Sequence, residues 1–233
     1  MKRFWCDASA TGVFAGLVAV VVVAGLMVGC ASTSQARKTS TSGFLRDYSQ
    51  LKPGEKDQAL LVYVDPAAKF SEYNAILMEP IEVYASAEDS NLAKVPENEL
   101  QELINYFDAA IREQLAGDYE LVTKPGPGTM RLRIALTEAK GAKVGLNAIS
   151  SVTPAGLALS GMKKAVTGAS TGVGSTGVEM ELLDAQSGKR LAAAVDERVG
   201  GKTSSFGKWQ SAKDAFDFWA QRLKTRLAEF RAK

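Results

Sequence analysis

Two periods of apolar residues alternate along the chain, and each change of period marks an element. From Leu100 the apolar positions Leu103, Ile104, Phe107, Ala110, Ile111 and Leu115 follow three or four apart, which predicts an amphipathic helix. It follows Pro96, carries Glu97, Glu99 and Glu102 toward the positive end of its dipole, and stops at Gly117. Trp209, Ala212, Phe216, Trp219, Leu223, Leu227 and Phe230 step the same way, with Lys213, Asp217, Gln221, Lys224 and Arg231 on the opposite face. Ser211 with Asp214 predicts a variant capping box at the start of this second helix. Its aromatic stripe is expected to cover a sheet, the alternative being a face kept for a partner.

Elsewhere the period is two. Met130, Leu132, Ile134 and Leu136 alternate with Arg131, Arg133, Ala135 and Thr137, and Val178, Met180 and Leu182 alternate with Glu179 and Glu181. After a turn at 186–189, Leu191, Ala193 and Val195 form the return strand of a hairpin. Residues 60–64, 75–84 and 119–123 read as further strands, the second demoted to an edge or bulged strand by Pro80. The order predicts the α+β class: a single mixed, mostly antiparallel sheet with two main helices packed on one face.

The first 42 residues have neither period. Lys2 and Arg3 precede an uncharged apolar run from Gly12 to Gly29, which describes a secretory signal peptide over 1–29. Leu26-Met27-Val28-Gly29-Cys30 resembles the lipobox of bacterial lipoproteins, with Met27 where that pattern usually has Leu. The resemblance implies cleavage between Gly29 and Cys30, acyl chains on Cys30 and attachment to a membrane. Ala31 is not the Asp that retains enteric lipoproteins in the inner membrane, so the expected location is the periplasmic face of the outer membrane. An uncleaved transmembrane anchor is the alternative, near the lower limit of about 20 residues for a span. Residues 30–42 are expected to be the lipidated cysteine and a flexible tether reaching about 20 Å, with one globular domain over 43–233.

Composition removes several kinds of chemistry. There is no histidine, and the two cysteines are Cys6, inside the signal, and Cys30. The commonest general base and the usual zinc ligands are therefore missing from the expected mature chain, and no metal or cofactor is expected. Losing Lys2, Arg3 and Asp7 with the signal takes the net charge from +2 to +1, which leaves no electrostatic footprint for nucleic acid. The carboxylates of Asp65, Glu79, Glu82, Asp196 and Glu197 are expected on solvated strand faces and turns. Ser160-Gly161-Met162-Lys163 with Lys202-Thr203-Ser204 matches the penicillin-recognising enzymes only in part, with the wrong spacing. The dinucleotide-like run from Gly172 to Gly177 precedes a strand instead of opening a helix, and is ascribed to composition. The glycine-rich insert at 141–177 is read as a long connection between strands, or as an interaction element that docks on a membrane or a second subunit.

Three blocks carry a wider resemblance. They are Gly43-Phe44-Leu45-Arg46-Asp47-Tyr48-Ser49-Gln50-Leu51, Pro125-Gly126-Pro127-Gly128, and the turn from Asp184 to Leu191. Together they resemble the bacterial lipoprotein family catalogued as domain of unknown function 3313, over nearly the whole mature chain. The resemblance implies a cell-envelope lipoprotein of one α/β domain and supplies no catalytic residues. In the first block, Phe44, Leu45, Tyr48 and Leu51 are expected to dock along the domain, with Asp47 or Ser49 capping a turn. A partner or ligand groove formed with Phe44, Asp47 and Tyr48 is the alternative. The expected role is non-enzymatic: a structural or accessory subunit of an envelope complex, in contact with other envelope proteins. A lipid or small apolar ligand-binding module is the first alternative, and an enzyme that uses carboxylates alone is the second.

Overall fold

The computed structural model describes residues 33–84, 91–142, 173–201 and 207–232. The expected signal peptide, Gly29, Cys30 and most of the 141–177 insert lie outside the described residues. Among the described residues nine strands form one sheet: β1 (Thr33–Gln35), β2 (Lys52–Pro53), β3 (Leu61–Val64), β4 (Ala75–Met78), β5 (Glu82–Val83), β6 (Glu120–Val122), β7 (Thr129–Lys140), β8 (Ser175–Asp184) and β9 (Arg190–Gly200). The helices are α1 (Glu97–Leu115), between β5 and β6, and α2 (Gln210–Arg231), after β9.

The long antiparallel strands β7, β8 and β9 form the middle of the sheet, whose order is β2-β3-β9-β8-β7-β4-β6. β1 also pairs with β9, antiparallel, and β5 with β7, parallel. Five of the eight pairings are antiparallel; the parallel ones are those of β4 with β6, β4 with β7, and β5 with β7. The sheet is therefore mixed and mostly antiparallel. The α1 crossover between β5 and β6 is what lets β6 run parallel to β4.

Both helices pack on one face. Leu103, Phe107, Ile111 and Leu115 of α1 and Phe216, Trp219 and Leu227 of α2 meet Ile76, Met130, Leu132, Ile134, Val178 and Leu182 of the sheet. Phe107 and Phe216 stack at 4.4 Å between centroids. Tyr106 Oη donates to Asp217 at 2.9 Å, joining the helices at their rim.

Several expectations need correction. Residues 75–84 are two strands, because Glu79-Pro80-Ile81 interrupt the ladder. The capping box does not form: α2 is capped by Trp209, whose side chain makes no cap hydrogen bond, and Ser211 is buried inside the first turn. Part of the expected tether is a strand. Thr33, Ser34 and Gln35 pair with Gly200, Val199 and Arg198, and the Ala36 N–H continues the ladder to Glu197 O at 2.8 Å. Polar side chains join the sheet here because buried charges on β9 recruit them: Arg198 donates to Thr33, and Asp196 accepts from Gln35.

The turns obey local rules. Asp184 Oδ1 accepts from the Gln186 and Ser187 amides, and Gly188 sits at φ +71°, so the hairpin between β8 and β9 is written into Asp-x-x-Ser-Gly. Gly128 adopts φ +63°, and a Cβ there would meet Glu72 O at 3.0 Å. That close approach lets its carbonyl receive the Asn74 and Ala75 amides and set β4 beside β7.

Candidate functional site

The face of the sheet away from the helices is where the unusual chemistry collects. Because Val178, Met180 and Leu182 point to the helix side, Gly177, Glu179 and Glu181 form a column on the other. Alternation predicts solvated glutamates. Instead Glu179 is 0% exposed and Glu181 is 4% exposed.

The cover is the segment that carries Gly43–Leu51. Phe44 and Leu45 pack on Ala135, Ala193 and Val195, with Tyr48, Leu51, Leu61 and Tyr63 around them. Glu179 accepts from the Ser42 amide and from Tyr48 Oη, each at 2.6 Å. The same phenol oxygen accepts from the Gly43 and Leu45 amides at 2.8 and 3.3 Å. Burial, then the hydrogen bond to Glu179, raises the Tyr48 phenol above its usual range. Glu181 lies between Arg133 and Arg190. Arg190 donates to the Leu45 and Asp47 carbonyls at 2.7 and 2.8 Å, and the Arg133 guanidinium stands 4.5 Å from the Phe44 ring. Each buried acid is thus charge-compensated or hydrogen-bonded by groups on other elements, which is what makes its burial tolerable.

Of the three positions considered for a partner or ligand groove, Phe44 is buried and Tyr48 half-buried, both with their polar and apolar contacts inside the domain. Asp47 is exposed, and its Oδ1 accepts from the Ser49 amide at 2.9 Å.

Asp65 and Asp196 are corrected from solvated to buried, at 7% and 4% exposed. Asp65 pairs with Lys189 at 2.6 Å, which with the Ala67 amide holds its carboxyl below the usual range. Asp196 points to the helix side, where Trp219 Nε1 donates to it at 2.8 Å; Gln35 Nε2 donates at 2.7 Å and the Leu60 amide at 3.3 Å. Glu79 and Glu82 are at the surface, in ion pairs with Arg133.

Glu197 sits at the edge of a polar cavity of about 210 Å³, lined also by Thr39, Ser40, Asn91, Glu138, Lys140 and Gly177. A register shift between Leu136 and Glu138 turns Glu138 toward it. Burial pushes the Glu197 carboxyl up to about 7, helped by the charges of Glu138 and Asp196 and opposed by a hydrogen bond from Thr39. Burial raises Glu138 too, against the Asn91 amide that donates to it at 2.8 Å and the charges of Lys140 and Lys94. Among the described residues no group of three or more Asp, Glu, Cys or His is placed to hold a metal ion, and no helix is long and apolar enough to cross a membrane.

Glu197, expected on a solvated face, is instead half-buried, and sequence reading missed the burial of Glu179 and Glu181. The only local signal was the Gly-x-Glu-x-Glu column beside an arginine-bearing strand, which is indistinguishable from a solvated face until the covering segment is in place.

The architecture defines a single α+β domain, with helices on one side of a mixed sheet and an N-terminal segment strapped over buried acids on the other. The chain belongs to the DUF3313 family of proteins of unknown function, whose model matches residues 40–223. It is 32% identical over 185 residues to the uncharacterized lipoprotein YdcL of Escherichia coli, in strain K12 and in O157:H7, covering 78% of this chain and 81% of the relative. Among solved structures it is similar to PelC dodecamers from Paraburkholderia phytofirmans, at 16% and 14% identity with TM-scores of 0.39 and 0.38, over 70% of this chain and 94% of each PelC chain. That likeness is too distant to bear on function.

Proposed function

We propose that the protein is a cell-envelope lipoprotein, held by acyl chains on Cys30 at the periplasmic face of the outer membrane, and that it works through protein contacts as a structural or accessory subunit. The observation that carries this reading is the position of β1. The sheet begins at Thr33, three residues after Cys30. Three extended residues reach at most about 11 Å, so an anchor at Cys30 holds the whole domain against the membrane instead of on a loose leash. The lipoprotein relative in Escherichia coli supports the same reading.

The surface chemistry fits a non-catalytic role. The acids of the outer face are engaged in fastening the N-terminal segment, and the Glu138–Glu197 cavity of about 210 Å³ is smaller than the ~300–1,000 Å³ usual for a ligand pocket. The space between sheet and helices is filled by large side chains, including Phe107, Phe216 and Trp219, which counts against a lipid or small apolar ligand there.

Growth with radioactive palmitate tests the anchor: wild type takes up label and Cys30→Ser does not. In-cell crosslinking of the lipidated protein tests the role, and reproducible capture of envelope proteins is the expected result. Label on Cys30→Ser would overturn the anchor. Turnover of an envelope substrate that is lost in Glu197→Gln with the fold intact would overturn the non-catalytic role.

A further inference from the structure

Thr33, three residues after Cys30, lies beside an arginine pair on one aromatic ring. Arg198 on β9 is 6% exposed and grips Thr33 twice: Nε donates to Thr33 Oγ1 and Nη2 to Thr33 O, both at 2.8 Å. Its guanidinium lies 3.5 Å from the centre of the Phe218 ring. Arg222, one turn further along α2, approaches the same ring at 5.3 Å and has no carboxylate partner among the described residues. Asp196 sets its charge against Arg198 from the same strand but is held by Trp219 and Gln35, which leaves Arg222 facing a like charge; planar guanidinium donors match phosphate oxygens in pairs. Further along α2, Lys224 is paired with Asp118 and Arg226 with Glu229, whereas Arg222 has no such pair among the described residues.

We propose that this end of the domain rests on the bilayer and that Arg222, backed by Phe218 and Arg198, engages the phosphate of an anionic phospholipid. The inference rests on the anchor proposed at Cys30. Chain length supplies the occupant: Thr33 is within about 11 Å of an acylated residue 30, so the groups around Thr33 stand at headgroup depth. Charge supplies the specificity, because basic residues held near an anionic membrane surface are attracted to it over roughly a Debye length. Arg198 is committed to Thr33 and fixes the geometry. Arg222 is half-buried and available.

The test uses the full lipidated protein in vesicles of phosphatidylcholine with phosphatidylglycerol, and in phosphatidylcholine alone. A photo-crosslinking residue replaces Thr225, exposed one turn from Arg222, or Gln101, exposed on α1, as the control. Phospholipid adducts are expected at 225 and not at 101, and fewer without phosphatidylglycerol. Arg222→Gln should lower the yield at 225 roughly fivefold, and Arg222→Lys, which keeps the charge without the paired guanidinium donors, should restore only part of it. Equal yields at 225 and 101, adducts at 225 to protein only, or no effect of Arg222→Gln at an unchanged melting temperature each overturn the proposal. If Arg222→Gln does not fold, the comparison of 225 with 101 in the two lipids decides. Mass analysis of residue 30 separates the two claims: acylated Cys30 without adducts at 225 sinks only the headgroup contact, whereas absent acylation sinks the anchor itself.

Discussion

Replacing Tyr48 by Phe removes one oxygen and tests whether the N-terminal segment is truly fastened to the sheet. A phenol has one donor and two acceptor positions, and Tyr48 uses all three: it donates to Glu179 and accepts from the Gly43 and Leu45 amides. In Tyr48→Phe the ring still packs beside Phe44 and Leu45, so little apolar contact is lost. Gly43 is exposed, and water replaces its lost partner. Leu45 is 2% exposed, and its amide is left bare. Glu179, 0% exposed, keeps only the Ser42 amide among the donors described above. A hydrogen bond to a charged group contributes about 1.5–3 kcal/mol, and a stranded buried amide costs about 1 kcal/mol or more. The sum is about 3 kcal/mol, which at about 2–4 °C per kcal/mol lowers the melting temperature by roughly 6–12 °C. Urea titration followed by tryptophan fluorescence reads it, since Trp219 reports the core. The control is Tyr84→Phe, at a ring that touches Phe44 from the exposed side, where a change below about 0.5 kcal/mol is expected. A midpoint for Tyr48→Phe as close to wild type as that of the control would refute the reasoning, because a buried carboxylate cannot lose its phenol donor at no cost.

Other tests reach other parts of the molecule. Glu197 has a folded-state pKa of about 7 against 4.5 unperturbed, so between those values the folded protein holds a proton that the unfolded chain releases. Its contribution to stability is therefore present at low pH, declines as pH rises from 4.5 to 7, and changes no further above that. Glu197→Gln should remove this decline and gain about 1 kcal/mol at pH 8 after allowing for solvent screening, read by urea melts at pH 5 and 8; a gain equal at both pH values would contradict it. Trp219→Phe removes the indole donor to buried Asp196 and should cost about 2 kcal/mol or more, with faster proteolysis near β1 because Asp196 also holds Gln35. Phe216→Ala opens a cavity against Phe107 and should cost about 3–5 kcal/mol by the same melts.

The two helices and the β8–β9 hairpin were legible because their signals are local: three-four spacing from Leu100 to Leu115 and from Trp209 to Phe230, and a turn whose Asp184 and Gly188 supply their own geometry. The helix-side layer followed from the same pattern. The second layer did not, because its partners are distant. Ser42 and Glu179 are 137 residues apart, and Arg198 and Thr33 are 165. Nothing in Thr33-Ser34-Gln35 distinguishes a strand from a leash until β9 presents Arg198 and Asp196. The acids were misjudged for the same reason: alternation says which way a side chain points, and only the completed fold says whether water is there. The parallel placement of β4 depends on Gly128 and the α1 crossover, and so was equally invisible in the short run Ala75–Met78.

The pairing of β1 with β9 also fixes an order in time. A chain is made from its N-terminus, yet Thr33 has no strand partner until Gly200 exists, and the segment over Glu179 has no floor until β7, β8 and β9 have joined. Until then Phe44 and Leu45 are bare, and contacts spanning this much sequence form slowly. Within the described domain, the part that is synthesised first is the part that folds last, and for that interval it is the stretch most open to whatever handles unfinished chains.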